Sequence, residues 1–85
     1  MANVTVYIRA LCPFCEYALA LLQRKGAPVT VIDATGDPGR RQEMIERAGR
    51  RTFPQIFVGE THVGGCDELH ALEDRGGLDP LLTGA

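Results

Sequence analysis

Apolar and polar residues alternate at the start of the chain, over residues 3–9, and this period of two is typical of a β-strand. Residues 13–25 then carry apolar side chains at helical spacing, which predicts a helix that ends at Gly26. Residues 28–33 are almost all apolar or β-branched, so we expect a strand that is covered on both faces. A strand, a helix and a strand in so short a stretch predict a right-handed βαβ unit with parallel strands.

The pattern continues with a second helix and a hairpin. Asp37 followed by Pro38 is typical of a helix start, and we expect this helix to extend to about Ala48. Residues 55–58 and 61–63 predict two short strands, which are joined by a two-residue Gly-Glu loop. The second half of the chain therefore adds two antiparallel strands to the sheet.

Two helical segments are predicted near the end of the chain. The first begins at residue 66 or 67 and extends to Arg75, and the second is a single turn that packs the leucines of residues 78–82. We expect residues 83–85 to fray. The order of elements predicts one domain, residues 1–85, with an α/β fold in which helices flank a four-stranded mixed sheet.

Composition argues against several classes of protein. The chain has 85 residues, of which 45% are hydrophobic and 24% charged, and its formal net charge is −2, as in ordinary soluble domains. This charge, and the scarcity of aromatic residues, give no support for binding to nucleic acid or to a membrane. The chain opens on a strand pattern, so we expect no removed leader, and three cysteines in such a chain argue against a disulfide framework. We therefore expect a cytoplasmic protein with reactive thiols.

Two of the cysteines, Cys12 and Cys15, lie where the first strand gives way to the first helix. Residues three apart on a helix are about 5–6 Å apart, a separation that a disulfide can bridge. Pro13 suits the first helical position, which puts Cys12 at the N-cap. Free backbone N–H groups and the positive end of the helix dipole favour a thiolate there. The spacing therefore predicts a dithiol redox site, with Cys12 as the nucleophile and Cys15 as the resolving thiol.

A zinc site is the main alternative use of these cysteines. Zinc takes four ligands, and the remaining candidates, Cys66, His62 and His70, are not paired at the usual spacing. We therefore expect no metal. Cys66 is interpreted as a small residue packed at a helix start in preference to a second redox thiol. The two histidines are interpreted as surface residues.

Three motifs fall at loops on the same edge of the predicted sheet. They are Cys-Pro-Phe-Cys at residues 12–15, Thr-Phe-Pro at 52–54 and Gly-Gly-Cys-Asp at 64–67. Together with residues 75–82, they resemble the glutaredoxins over nearly the whole chain, in particular the small bacterial dithiol glutaredoxins of the third type. A C-x-x-C pair alone would be a weak signal, whereas three motifs in the right order are a strong one.

The resemblance implies the thioredoxin fold, glutathione as the reductant, and a cis peptide bond before Pro54. Cys12 and Cys15 match the family's catalytic pair. Disulfide-containing or glutathionylated proteins are the implied partners of a monomeric enzyme. The residues that the resemblance implies for glutathione binding are Arg9, Phe14, Arg41, Thr52, Phe53, Pro54, Gly65, Cys66 and Asp67.

The chemistry of these residue types suits glutathione, which carries two carboxylates, one ammonium and a thiol. Arg9 and Arg41 can pair with carboxylates, and Asp67 can accept a hydrogen bond from the ammonium. The helix start at Asp67 suits the neighbouring carboxylate. The other arginines between residues 40 and 51 are interpreted as surface residues. Glu68 stands where the family has a second Asp, so no direct role is assigned to it.

Two other functions remain open at this point. The first is a glutaredoxin-like protein that thioredoxin reductase, and not glutathione, reduces. The second is a carrier of iron–sulfur clusters, which would bridge two chains through Cys12 and bound glutathione. Relatives with that role typically have a single-cysteine Cys-Gly-Phe-Ser site, so Pro13 and Cys15 weigh against it.

Overall fold

The computed structural model describes residues 1–84 of the chain, so the expected fraying of Ala85 lies outside the described residues. Within this range the predicted elements are present, with ends that differ from the predictions by about one residue. Thr83, which we expected to fray, belongs to the last helix. The strands and helices are β1 (Val4–Ile8), α1 (Pro13–Arg24), β2 (Val29–Asp33), α2 (Pro38–Ala48), β3 (Gln55–Val58), β4 (Thr61–Gly64), α3 (Cys66–Asp74) and α4 (Leu78–Thr83).

The four strands form one mixed sheet in the order β2-β1-β3-β4. β1 pairs with β2 in parallel and with β3 in antiparallel orientation. β3 and β4 pair as the predicted antiparallel hairpin, with Val58 opposite Thr61 across the two-residue loop. The predicted α/β fold with a four-stranded mixed sheet is therefore confirmed.

The core is divided between the two faces of the sheet, because successive strand residues point to opposite sides. Val6 and Ile56 face a large cluster to which α1, α3 and α4 contribute their leucines. Tyr7 and Phe57, the next residues along, face a smaller cluster that contains Met44 of α2. Helices thus cover both faces of the central strands, and this leaves the ends of β1 and β3 to carry the loops of the site.

The tyrosine of the smaller cluster also connects the sheet to α2 through polar contacts. Tyr7 has no exposed surface, and its hydroxyl accepts a hydrogen bond of 2.8 Å from Nη1 of Arg47 and donates one to Glu43. Burial raises the pKa of Tyr7 above its ordinary value. The hydroxyl is therefore satisfied inside the core as a neutral group.

The expectation that the second strand is covered on both faces is wrong. β2 is an edge strand, and Val31 in its middle is 48% exposed. The helices pack over the central strands β1 and β3, so only Val29 and Ile32 of β2 contact the core clusters, one on each face. The β-branched residues of this strand reflect strand propensity and not burial.

Two local signals in the sequence act as predicted. The carboxylate of Asp37 accepts a hydrogen bond of 3.0 Å from the backbone N–H of Arg40 and caps α2, which begins at Pro38. Gly49 ends α2 in the left-handed conformation, with φ of 70°.

No helix within residues 1–84 has both the length and the apolar character needed to cross a membrane.

Candidate active site

The thiol of Cys12 caps the first helix. Cys12 has an extended backbone, and its Sγ accepts a hydrogen bond of 3.2 Å from the backbone N–H of Cys15. Pro13 is the first helical residue, as predicted. Only 6% of the Cys12 surface is exposed, yet the residue lines a depression at the protein surface. The sulfur is thus held against the helix N-terminus while a substrate can still approach it.

The second thiol belongs to the third residue of the helix and is deeper. Cys15 is 2% exposed, and burial, followed by its contact with Cys12, raises the pKa of the Cys15 thiol to about 12. The backbone and the charge of Arg9 oppose this shift without cancelling it. Both cysteines are free thiols. At neutral pH, Cys15 is therefore a protonated thiol beside the more accessible Cys12.

The loop before β3 comes close to the nucleophile. The peptide bond between Phe53 and Pro54 is cis, as the resemblance implied. The carbonyl oxygen of Phe53 lies 4.0 Å from Sγ of Cys12. Within residues 1–84, neither the N–H nor the carbonyl of Phe53 has a backbone hydrogen-bond partner. An extended ligand next to Cys12 therefore finds a free backbone edge.

A cleft of about 270 Å³ lies between this loop and the start of α3. Its lining contains seven of the nine residues that were expected to bind glutathione. These are Phe14, Thr52, Phe53, Pro54, Gly65, Cys66 and Asp67.

The other two expected residues, Arg9 and Arg41, do not line the cleft. Arg9 is exposed, with its backbone beside the thiol of Cys15. The guanidinium carbon of Arg41 lies 5.8 Å from the ring centroid of Phe53, which itself lines the cleft. Both charges are near the site, but the structure does not bring either side chain into the wall.

Arg50, which was interpreted as a surface residue, is exposed as predicted and also lines the cleft. Its Nη1 forms an ion pair of 2.7 Å with Oε1 of Glu68, which also lines the cleft. The approach of the two side chains depends on the packing of α3 against the loop after α2, and local patterns do not reveal it. The sequence signal that could have identified Arg50 is its position two residues before Thr52.

Glu68 is tied to the N-terminus of α3. The same Oε1 atom accepts a hydrogen bond of 2.7 Å from the backbone N–H of Gly65. These two contacts, with Arg50 first, lower the pKa of Glu68, so the side chain is an anion. Gly64 has φ of 120°, and a Cβ there would lie 2.7 Å from the Glu68 carboxylate, so glycine is required at this position.

A buried amide connects the strands to the cleft. Gln55 is fully buried, and its Nε2 donates hydrogen bonds of 3.0 Å to both the carbonyl and the hydroxyl oxygen of Thr52. Its Oε1 lies 2.7 Å from Nε2 of His62. His62 was expected at the surface but is half-buried, and burial followed by the charge of Arg50 lowers its pKa. This chain of contacts fixes the orientation of Thr52, and sequence reasoning missed it.

The third cysteine is at the start of α3, also on the cleft. Cys66 is 9% exposed, and burial raises the pKa of its thiol. Its Sγ lies 3.4 Å from Nδ1 of His70, which also approaches the Cys66 carbonyl at 3.0 Å. His70, which lies on α3 one turn after Cys66, is half-buried, whereas it was predicted to be a surface residue. Within residues 1–84, no three His, Cys, Asp or Glu side chains come together as metal ligands would.

Comparison with known proteins decides the family. The profile of the family described as Glutaredoxin matches residues 4–63, which include both thiols and the cis-proline loop. The chain belongs to the glutaredoxin family. Its members are thiol–disulfide oxidoreductases, and the resemblance drawn from the three motifs is confirmed.

This glutaredoxin is 52% identical to glutaredoxin 3 of Escherichia coli K12 over 82 residues, which cover 96% of this chain and 99% of that protein. The solution structure of glutaredoxin from Brucella melitensis is 58% identical, with a TM-score of 0.84, and the match covers 100% of this chain and 94% of that one. A buckwheat glutaredoxin–glutathione complex is 27% identical, with a TM-score of 0.83, over 94% of this chain and 76% of that one. These neighbours confirm the thioredoxin fold.

Proposed function

We propose that residues 1–85 form one glutaredoxin domain that uses glutathione to reduce protein disulfides and protein–glutathione mixed disulfides. The observation that supports this most is the position of Cys12 at the N-cap of α1, 4.0 Å from the carbonyl of the cis-proline loop that walls the cleft. A thiol in this position combines a helix N-terminus, which favours its anion, with an adjoining site for a small ligand.

The charges around the cleft suit glutathione. Arg50 in the lining can pair with one carboxylate, and Arg41 stands beside Phe53 at the margin. Asp67 can accept hydrogen bonds from the ammonium group, and the N-terminus of α3, where Asp67 lies, suits the neighbouring carboxylate. The N–H and carbonyl of Phe53, which have no backbone partner within residues 1–84, can pair with the tripeptide backbone. The buckwheat relative was solved as a complex with glutathione, which supports the same ligand here.

With a mixed disulfide as substrate, one cysteine is sufficient. The Cys12 thiolate attacks the glutathione sulfur, the bond between that sulfur and the protein breaks, and the protein thiolate leaves and is protonated from water. The glutathionyl group is now bound to Cys12. The thiolate of a second glutathione attacks it, glutathione disulfide is released, and Cys12 returns as a thiolate. The one glutathione thiol that enters is oxidised to the disulfide level, and the protein sulfur is reduced to a thiol in exchange.

With a protein disulfide as substrate, both cysteines are needed. Cys12 forms a mixed disulfide with the substrate, and Cys15 attacks its Sγ after losing a proton, which releases the reduced substrate and leaves a Cys12–Cys15 disulfide. Two glutathione molecules reduce this disulfide in turn. Burial raises the pKa of Cys15, so this residue stays a protonated thiol until it attacks the mixed disulfide at Cys12 and gives up its proton.

We propose that the enzyme acts as a monomer in the cytoplasm, on disulfide-containing or glutathionylated proteins. Its three free thiols suit a reducing compartment, in which glutathione supplies the electrons. We propose no resident metal, because the residues that surround Cys12 are assigned to binding a tripeptide.

The choice of reductant tests the proposal. The oxidised protein is supplied with NADPH and either glutathione with glutathione reductase or thioredoxin reductase alone, and NADPH consumption is followed with a mixed disulfide of cysteine and glutathione as substrate. We expect turnover in the first system and almost none in the second. Equal turnover with thioredoxin reductase would overturn the assignment of glutathione.

A further inference from the structure

A leucine next to the nucleophile is placed in a way that the fold does not explain. Leu11 is 99% exposed and has a left-handed backbone with φ of 55°. An L-residue with a side chain is disfavoured in this conformation, which Gly, Asn or Asp adopt more easily. Leu11 therefore combines an unfavourable backbone with an apolar side chain that the fold leaves in water. An interaction outside the chain would account for both.

The leucine also borders a depression that is separate from the glutathione cleft. The depression has a volume of about 340 Å³ and is lined by Leu11, Cys12, Pro13 and Glu16. None of these four residues lines the glutathione cleft. Cys12 thus lies between the two concave surfaces, because it lines one and its sulfur approaches the Phe53 carbonyl in the wall of the other.

We propose that Leu11, Pro13 and Glu16 form a docking surface for the protein half of a disulfide substrate, which we call the Leu11 surface. The inference rests on the proposed function of the same site. Its partner is a polypeptide segment with an apolar residue and a basic residue next to the cysteine that exchanges with Cys12. The apolar residue contacts Leu11, and the basic residue pairs with Glu16.

The two halves of the substrate explain why a second surface is needed. A protein–glutathione mixed disulfide joins a tripeptide to a polypeptide through the sulfur pair that Cys12 attacks. The cleft takes the tripeptide, so the polypeptide must lie on surface that adjoins Cys12 outside it. The Leu11 surface is continuous with Cys12 and meets that requirement.

The chemistry of the surface specifies the partner segment. Leu11 and Pro13 are both exposed and apolar, and contact with an apolar side chain removes both surfaces from water. Glu16 is exposed and is the charged residue among the four that line the depression, so it favours a Lys or Arg on the partner over an acidic residue. A segment with acidic residues around its cysteine is disfavoured, because it offers no apolar contact to Leu11 and its charge is repelled by Glu16.

Three synthetic peptides that differ only beside a glutathionylated cysteine test the proposal. The first has Leu and Lys as neighbours of the cysteine, the second Gln and Lys, and the third Leu and Gln. For the natural protein we expect kcat/KM to be about five-fold higher for the first peptide than for the second, from roughly 40 Å² of apolar contact. We expect a difference of about two-fold between the first and the third, from an exposed ion pair.

Variants remove each preference in turn. Leu11→Asn is expected to abolish the difference between the first and second peptides, and Glu16→Gln the difference between the first and third. Asn fits the left-handed backbone, and Leu11→Gly provides a second version should Leu11→Asn lower expression. Val31→Thr is the matched control, because it removes exposed apolar surface from the edge strand and should leave both preferences intact.

The outcomes separate this inference from the proposed function. Turnover of the cysteine–glutathione mixed disulfide, which has no flanking residues, tests the proposed function alone. If that substrate is reduced and the natural protein does not distinguish the three peptides, or if Leu11→Asn keeps the natural preference, the Leu11 surface is not a docking site. If that substrate is not reduced with glutathione, the proposed function itself fails.

Discussion

The Sγ atom of Cys12 accepts a hydrogen bond of 3.2 Å from the backbone N–H of Cys15. This contact joins two thiols that the fold makes chemically different. Cys12 faces the N-terminus of α1 and a surface depression, while Cys15 is buried and has its pKa raised to about 12. Cys15 is therefore the protonated, buried thiol of the pair and Cys12 the accessible one, and the predictions below follow from this asymmetry and from the walls of the cleft.

Replacement of the buried thiol should separate the two proposed reactions. A Cys15→Ser variant keeps Cys12 and the whole cleft, so we expect it to retain most of its activity on glutathionylated peptides. It should lose the reduction of protein disulfides, because no second thiol can release the substrate. Ala20→Ser, at an exposed position of the same helix and outside the cleft lining, serves as the control and should keep both activities. Loss of both activities in Cys15→Ser would contradict this division of roles.

The raised pKa of Cys15 also predicts how stability depends on pH. The unfolded chain loses this proton near the ordinary value of 9.0, whereas the folded chain holds it up to about 12. The unfolded state then binds fewer protons above pH 9, so the free energy of unfolding should fall as the pH rises from about 9 to about 12. Urea unfolding over this range measures the slope. In Cys15→Ala the free energy of unfolding should fall less steeply with pH. An unchanged slope would contradict the burial of Cys15 as the source of this pH dependence.

The buried amide that orients Thr52 should matter for both stability and binding. Gln55→Leu leaves the Thr52 carbonyl and the His62 ring without their partner, at a cost of about 1–3 kcal/mol in the free energy of unfolding. Because Thr52 lines the cleft, KM for glutathione should rise as well. Gln42→Leu, at an exposed position of α2, is the matched control and should change neither quantity much. A loss of stability with an unchanged KM would confine Gln55 to a structural role.

The cation in the cleft wall should contribute to the binding of an anionic tripeptide. We expect Arg50→Gln to raise KM for glutathione about five-fold, which corresponds to about 1 kcal/mol for an exposed charge pair. The effect should weaken at high salt, since these charges are exposed to solvent. Arg40→Gln removes an equal charge from a surface ion pair on α2 and serves as the control. An equal effect of the two variants would mean that only net charge matters.

Local signals explain why most of the fold could be predicted. The N-cap at Asp37, the two-residue loop between Val58 and Thr61 and the cap at Cys12 are decided by residues adjacent in sequence. The edge position of β2 could not be predicted, because β-branched residues occur in edge and central strands alike. Which strand lies at the margin depends on where the helices pack.

The candidate site, like the fold, could be predicted only in part. The backbone segments that carry Thr52 and Asp67 were identified from motifs, and both line the cleft. Arg50, and the contact between Gln55 and His62, depend on side chains that approach only when distant elements pack together. The motifs favoured Arg41 from the arginine cluster, and only the position of Arg50 two residues before Thr52 indicates its place in the cleft lining.

Alkylation of the three thiols is the most direct test that Cys12 is the nucleophile. The reduced, folded protein is treated with a limiting amount of iodoacetamide at neutral pH, and mass spectrometry of the peptides shows which sulfur has reacted. We predict modification of Cys12 first, since burial raises the pKa of both Cys15 and Cys66. Modification of Cys15 or Cys66 at the same rate as Cys12 would contradict the account.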